Sequence, residues 1–98
     1  MYLRLVRFTL SEGNASYADV MAKELISAVK EQPGCLSAVF FGGGDDGESG
    51  LCVLWDTQEH ADAAVEIIGP RLQGHLAGKV NGQPEARLFP VLESYPPL

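Results

Sequence analysis

The chain has 98 residues, 46% of them hydrophobic and 20% charged, a make-up that suits one small globular domain and excludes a second. Seven basic against thirteen acidic side chains give a formal charge of −6. That field repels phosphate backbones and anionic lipid, so neither nucleic acid nor a membrane surface is expected as a partner. No apolar run approaches the roughly 20 residues that a spanning helix needs. The start, Met1 to Arg7, lacks the long apolar core and small-residue cleavage site of a secretory signal. The expected location is the cytoplasm.

Tyr2 to Thr9 reads as a first strand, with Tyr2, Arg4, Val6 and Phe8 on one face and Leu3, Leu5, Arg7 and Thr9 on the other. Neither face is cleanly polar, which predicts an inner strand. Arg4 and Arg7 then stand out, because a buried guanidinium needs a partner. One reading is a structural ion pair or a snorkelling side chain. The other places Arg4 in a ligand cavity, as an anchor for a carboxylate or an enolate-like oxygen. After a polar connection, Ser16 and Asp19 form a capping pair. Tyr17, Val20, Met21, Glu24, Leu25, Ala28 and Val29 recur at helical spacing, which predicts a helix to about Glu31. Gln32-Pro33-Gly34 stops it.

Cys35 to Phe41 is the second strand. The glycine-rich stretch from Gly42 to Gly50 has three acids and no lysine, and it joins two strands; it reads as a hairpin tip turning near Asp45 and Asp46 rather than a phosphate cradle. That hairpin sets Cys52 opposite Phe40 or Phe41 and leaves Cys35 beyond the about 7 Å Cα separation of a disulfide. Two free, buried thiols are expected, too few for a structural zinc site.

Leu51 to Trp55 is the third strand. Leu51, Val53 and Trp55 share one face, and Cys52 and Leu54 the other; two apolar faces predict a central, doubly covered strand. Asp56 or Thr57 suits a helix N-cap, with Glu59 in the first turn. The second helix begins near Gln58 and carries Ala61, Ala64, Val65 and Ile68 inward. Gly69-Pro70 is expected to interrupt it, with Arg71 to Ala77 as another short helical piece. Residues 78–84 read as loop and Glu85 to Glu93 as a last strand, an edge strand or a bulged one because Pro90 lacks a donor. Ser94 to Leu98 is an extended tail.

The order β-α-β-β-α-β predicts an α+β, ferredoxin-like fold: a four-stranded antiparallel sheet with both helices on one face. The opposite face is left bare and apolar, and a twin packed through Leu3, Leu5 and one face each of the second and third strands would cover it. A homodimer through the open sheet face is therefore expected.

Three stretches carry a family likeness: Arg7-Phe-Thr-Leu-Ser-Glu-Gly13 at the exit of the first strand, Pro33-Gly-Cys35 after the first helix, and Val53-Leu-Trp55-Asp-Thr-Gln-Glu59 into the second. With the order of elements, the chain resembles the antibiotic biosynthesis monooxygenase superfamily of dimeric α/β-barrel proteins, which includes quinol and anthrone oxygenases and haem-degrading enzymes. The resemblance spans nearly all of residues 1–98 as one such domain. It implies two sheets packed face to face across a dimer axis and a pocket in each subunit between sheet and helices. It also implies oxygenation without cofactor, metal or flavin, in which a deprotonated phenol or hydroquinone passes an electron to oxygen. The protein then supplies a dry cavity, orientation, a polar group for the phenolate and a base.

By this resemblance Trp55 lies at the active pocket; as a residue type it is equally a core aromatic with its indole N–H bonded to backbone. His60, in the first turn of the second helix, is a candidate base because the helix dipole favours its neutral form; a solvated histidine on a helix face is the plainer reading. Arg71 and His75 lie one turn apart and could bind an anionic group together. Trp55, His60 and His75 are thus the candidate catalytic residues. Tyr17, read as a staple between helix and sheet, joins Arg4, Val6, Phe8 and Arg71 as the candidate ligand-binding residues. In the haem-degrading branch the pocket asparagine falls at Val6, and the haem ligand falls at Arg71, or at His75 after a shift of register. The expected function is cofactor-independent oxygenation of a small aromatic phenol or quinol. The alternative is a non-catalytic ligand-binding or stress-associated dimer of the same fold.

Overall fold

The computed structural model describes residues 1–42 and 46–97. Its order is β1 (Tyr2–Leu10), α1 (Tyr17–Val29), β2 (Cys35–Phe41), β3 (Glu48–Trp55), α2 (Gln58–Leu76) and β4 (Val80–Pro90). The strands form one antiparallel sheet in the order β2-β3-β1-β4, so β1 and β3 are the inner strands, as their apolar faces require. Of the turn expected near Asp45 and Asp46, Asp45 lies outside the described residues; Asp46 sits at a turn, its Oδ1 accepting from Glu48 N–H at 3.0 Å.

Alternation along the inner strands sends Val6, Phe8 and Leu10 of β1, and Leu51, Val53 and Trp55 of β3, to the side covered by the helices. There they join Met21, Leu25, Ala28 and Val29 of α1 and Ala61, Ala64, Ile68, Leu72 and Leu76 of α2 in one buried cluster. The other side of the sheet carries no helix. Leu3, Leu5 and Cys52 are half-buried there, and Val39 and Phe41 of the edge strand β2 are exposed. Cys35 and Cys52 are free thiols, and burial pushes both upward from the usual thiol range, so they stay protonated and inert at neutral pH.

Several expected boundaries move, each for a physical reason. α2 runs unbroken through Gly69 and Pro70. Its buried positions 61, 64, 68, 72 and 76 stay in helical phase across the proline, while Pro70 itself is exposed and its missing N–H faces no buried partner. β4 occupies Val80–Pro90 rather than Glu85 to Glu93, because Val80 and Asn81 pair with Leu10 and Thr9 beyond a register shift in β1. Gly82, at φ +74°, and Pro84 fit that irregular stretch on an edge strand. Ser16 holds the N-cap position of α1 in a helical conformation and makes no side-chain cap; the backbone turns Tyr17 N–H to Asn14 O and Ala18 N–H to Ala15 O occupy the donors instead. In the hairpin Cys52 pairs with Val39, and Phe40 with Leu51, one residue from the expected register.

Candidate functional site

Between the sheet and α2 lies a cavity of about 370 Å³. Arg4 and Val6 of β1, Leu51, Val53 and Trp55 of β3, and Ala86 of β4 make its floor. Ala61, Ala64, Val65, Ile68, Gly69, Leu72, Gln73 and Leu76 of α2 make the opposite wall, and Gln83 and Pro84 stand at its rim. The small side chains of Ala61 and Ala64, and Gly69 with none, leave the space between α2 and the sheet unfilled at this point, where larger ones would occupy it. Among the described residues the lining contains one charged side chain, Arg4, two amides, and no carboxylate or imidazole.

Two of the lining residues carry a nitrogen that is enclosed and has no hydrogen-bond partner among the described residues: Trp55 Nε1 and Arg4 Nε. Trp55 is 2% exposed. A buried N–H left unmade costs on the order of 1–3 kcal/mol, so these two donors are the site's outstanding chemical feature. The far end of Arg4 is held: Nη2 donates to Asp62 Oδ1 of α2 at 3.1 Å, where Asp62 is largely in solvent. Arg4 therefore reaches from β1 to the surface, where Asp62 meets its charge, while its Nε is enclosed by the protein.

No family model and no curated protein matches the chain by sequence. Solved structures do. A putative antibiotic biosynthesis monooxygenase from Nitrosomonas europaea superposes with a TM-score of 0.82 over 95% of this chain and 100% of its own, at 15% identity. A protein of unknown function from the same organism gives a TM-score of 0.85 over 99% of this chain and 94% of its own, at 13% identity. The cofactor-independent oxygenase SnoaB from Streptomyces nogalater gives 0.77 over 98% of this chain and 97% of its own, at 17% identity. The fold is that of antibiotic biosynthesis monooxygenases. At such identities the likeness is one of backbone, and the chemistry of this chain has to be argued from its own side chains.

Of the residues singled out in the sequence, the structure brings Arg4, Val6 and Trp55 together in the cavity. Phe8 shares their face but is packed into the core against Phe40, with ring centroids 6.1 Å apart. His60 is half-exposed at the start of α2; its Nδ1 lies 2.7 Å from Asp56 Oδ1, and its backbone N–H donates to the Thr57 hydroxyl that caps the helix. That contact holds the Asp56 carboxyl below its usual range. His60 does not line the cavity.

His75, Tyr17 and Arg71 form a second group, between α1 and α2. The anion that Arg71 and His75 share is Glu24 of this same chain, at 2.6 Å from Arg71 Nη1 and 3.0 Å from His75 Nε2. His75 Nδ1 meets the Tyr17 hydroxyl at 2.8 Å, so Tyr17 staples α1 to α2 rather than to the sheet. Both imidazole nitrogens are engaged, and neither is free to ligate a haem iron. Among the described residues no group of three or more histidine, cysteine, aspartate or glutamate side chains is placed to hold a metal ion. No helix is long and apolar enough to cross a membrane.

Sequence reasoning missed Asp62, Gln73, Gln83 and Ala86. Arg4's need for a counter-charge was visible, but nothing local to β1 says that an aspartate 58 positions away supplies it.

Proposed function

We propose that residues 1–98 form a single-domain, cofactor-independent monooxygenase acting on a small aromatic phenol or quinol bound between the sheet and α2. The observation that carries this reading is the apolar cavity with two unpartnered buried donors, Trp55 Nε1 and Arg4 Nε. A planar aromatic body suits the aliphatic lining, and an anionic oxygen suits the two N–H groups. The fold shared with a cofactor-independent oxygenase supports the same chemistry. In this reading the ionised substrate supplies the electrons that reduce oxygen, while the protein supplies orientation, exclusion of water and the donors that hold the anion.

Oxygen consumption with a panel of hydroquinones and anthrones tests it. Uptake above the rate without protein, reduced about 100-fold in Trp55→Phe by loss of one preorganised donor, is the expected result. Among the described residues the lining holds no carboxylate or imidazole, which favours a second reading, a non-catalytic binding protein of the same fold. Saturable ligand binding with no oxygen consumed would select it.

The bare sheet face, with Val39 58% exposed and Phe41 beside it, supports a homodimer closed through that face. Two free thiols held protonated suit a reducing, cytoplasmic setting.

A further inference from the structure

Tyr17 opens α1, and its hydroxyl lies 2.8 Å from Nδ1 of His75, near the end of α2. On the other side of the imidazole, Nε2 lies 3.0 Å from Glu24 Oε2, and Arg71 Nη1 donates to the second oxygen of that carboxylate at 2.6 Å. A carboxylate only accepts, so Nε2 carries the hydrogen, and in the neutral ring Nδ1 presents its lone pair to the phenol. The Tyr17 O–H therefore donates to a base that is itself backed by an anion. Phenol, imidazole and carboxylate form a relay along which one proton moves without rearrangement of the side chains. Of the three tyrosines, Tyr17 alone has an imidazole at its hydroxyl among the described residues. Lys79 Nζ stands 4.7 Å from the centroid of the same ring. A cation over the ring face opposes loss of an electron alone, which would leave a positive ring beside it. Loss of an electron and a proton together leaves a neutral ring, and the relay supplies the route for that proton.

We infer that Tyr17 is a one-electron donor site, at which an oxygen-centred organic radical, such as a peroxyl radical, is reduced. The electron passes from the phenol to the radical, which takes a proton from water and becomes a hydroperoxide. The Tyr17 O–H bond breaks, its proton goes to His75 Nδ1, and the imidazolium so formed is held by Glu24. A thiol or another reductant in solution returns the electron, and His75 returns the proton. Tyr17 need not touch the radical, because an electron tunnels through packed protein while the proton crosses only the 2.8 Å hydrogen bond. The ring packs against the buried cluster that contains Trp55. Leu72, Gln73 and Leu76 line the cavity, and His75, in the same turns of α2, faces α1; Tyr17 thus stands within about one helix diameter of the cavity, roughly 10–12 Å. The donor serves a radical formed in that cavity or one arriving from solvent, so it does not depend on the oxygenase reading.

The test exposes the intact chain, without any aromatic ligand, to peroxyl radicals from a water-soluble azo initiator, then freezes it for pulsed electron paramagnetic resonance. The histidine nitrogens carry a heavy-isotope label. Exposure alone would direct oxidation to Tyr95, which is 97% exposed. The expected signal is instead a tyrosyl radical coupled to a labelled histidine nitrogen, a signature that only the Tyr17–His75 pair can give. His75→Phe keeps an aromatic ring beside Tyr17 and removes the base, and it should lower the radical yield at least about tenfold, as should Tyr17→Phe, with circular dichroism confirming that each variant is folded. The same bonds join α1 to α2, and a purely structural join would leave the yield in His75→Phe unchanged or raise it by loosening Tyr17. A radical without histidine coupling, at Tyr2, Tyr95 or Trp55, overturns the inference, as does an unchanged yield in folded His75→Phe. Because the coupling is read in the unaltered sequence, the inference stands or falls even if a variant does not fold. Oxygen uptake with hydroquinones is scored separately and bears on the oxygenase reading alone.

Discussion

Gly34 is a position where one added methyl group would collide with the junction between β3 and α2. It has φ +83°, a conformation that disfavours any L side chain. A Cβ built there would lie 2.3 Å from Asp56 Oδ1, 2.4 Å from His60 Nδ1 and 2.7 Å from His60 Cβ, while the Gly34 carbonyl accepts from Asp56 N–H at 3.0 Å. The methyl group therefore meets the junction that leads from Trp55 into α2. Gly13 is a natural control, because it has a similar φ of +90° with nothing within 4 Å of an added Cβ. Gly13→Ala is expected to cost about 1 kcal/mol, the backbone penalty alone. Gly34→Ala adds overpacking, typically about 1–3 kcal/mol, for a total of about 3 kcal/mol. At about 4–8 °C per kcal/mol for a domain near 100 residues, Tm should fall by more than about 10 °C in Gly34→Ala and by about 4–8 °C in Gly13→Ala. Thermal unfolding followed by circular dichroism measures both, and Gly34→Ala combined with His60→Ala should recover part of the loss. Equal shifts for the two alanine variants would refute the steric reasoning.

Four further outcomes follow from the same structure. Leu25 is fully buried, so Leu25→Ala should lower the unfolding free energy by about 2–5 kcal/mol in a urea titration. His75→Ala removes the bridge between Tyr17 and Glu24 and should cost roughly 1–3 kcal/mol in the same titration; a change within error would show that the bridge is idle. The contact with His60 lowers the Asp56 carboxyl from its ordinary 3.8, so the contribution to stability is complete above that value and is lost as pH falls through the lower folded value. Urea midpoints measured between neutral pH and pH 2 should therefore decline less steeply over that acid range in His60→Ala than in the unaltered chain. For the proposed dimer, light scattering should give twice the chain mass, and Val39→Glu on the open face should give the monomer; a monomeric unaltered chain would end that proposal.

Much of the fold was legible because its signals are local. The two apolar faces of Leu51 to Trp55 announce an inner strand, and β3 is one. Of Asp56 and Thr57, either of which suits an N-cap, Thr57 takes the position, and its hydroxyl accepts from His60 N–H. Local signals also misled where packing outweighed them. Gly69-Pro70 reads as a break, yet the buried stripe Ala64, Ile68, Leu72 and Leu76 continues through it, because burying two further leucines outweighs one lost hydrogen bond at an exposed proline. Val80 reads as loop, and it becomes strand only because Leu10 lies opposite to pair with it.

The sequence by itself determined the order of elements, the face of each inner strand, and the identity of the polar residues on β1. Each depends on periodicities that repeat within a few residues, and those are set by backbone geometry. The tertiary structure alone decided what each polar group meets. It gave Arg4 an aspartate from α2, occupied both nitrogens of His75 with residues of α1, turned His60 toward Asp56, and left the buried Trp55 N–H without a partner among the described residues. The pairings of Arg4 and His75 each join residues more than 50 positions apart in the chain. Proximity of that kind exists only after the helices close on the sheet, and the free donor at Trp55 is defined by what the closed structure fails to bring to it.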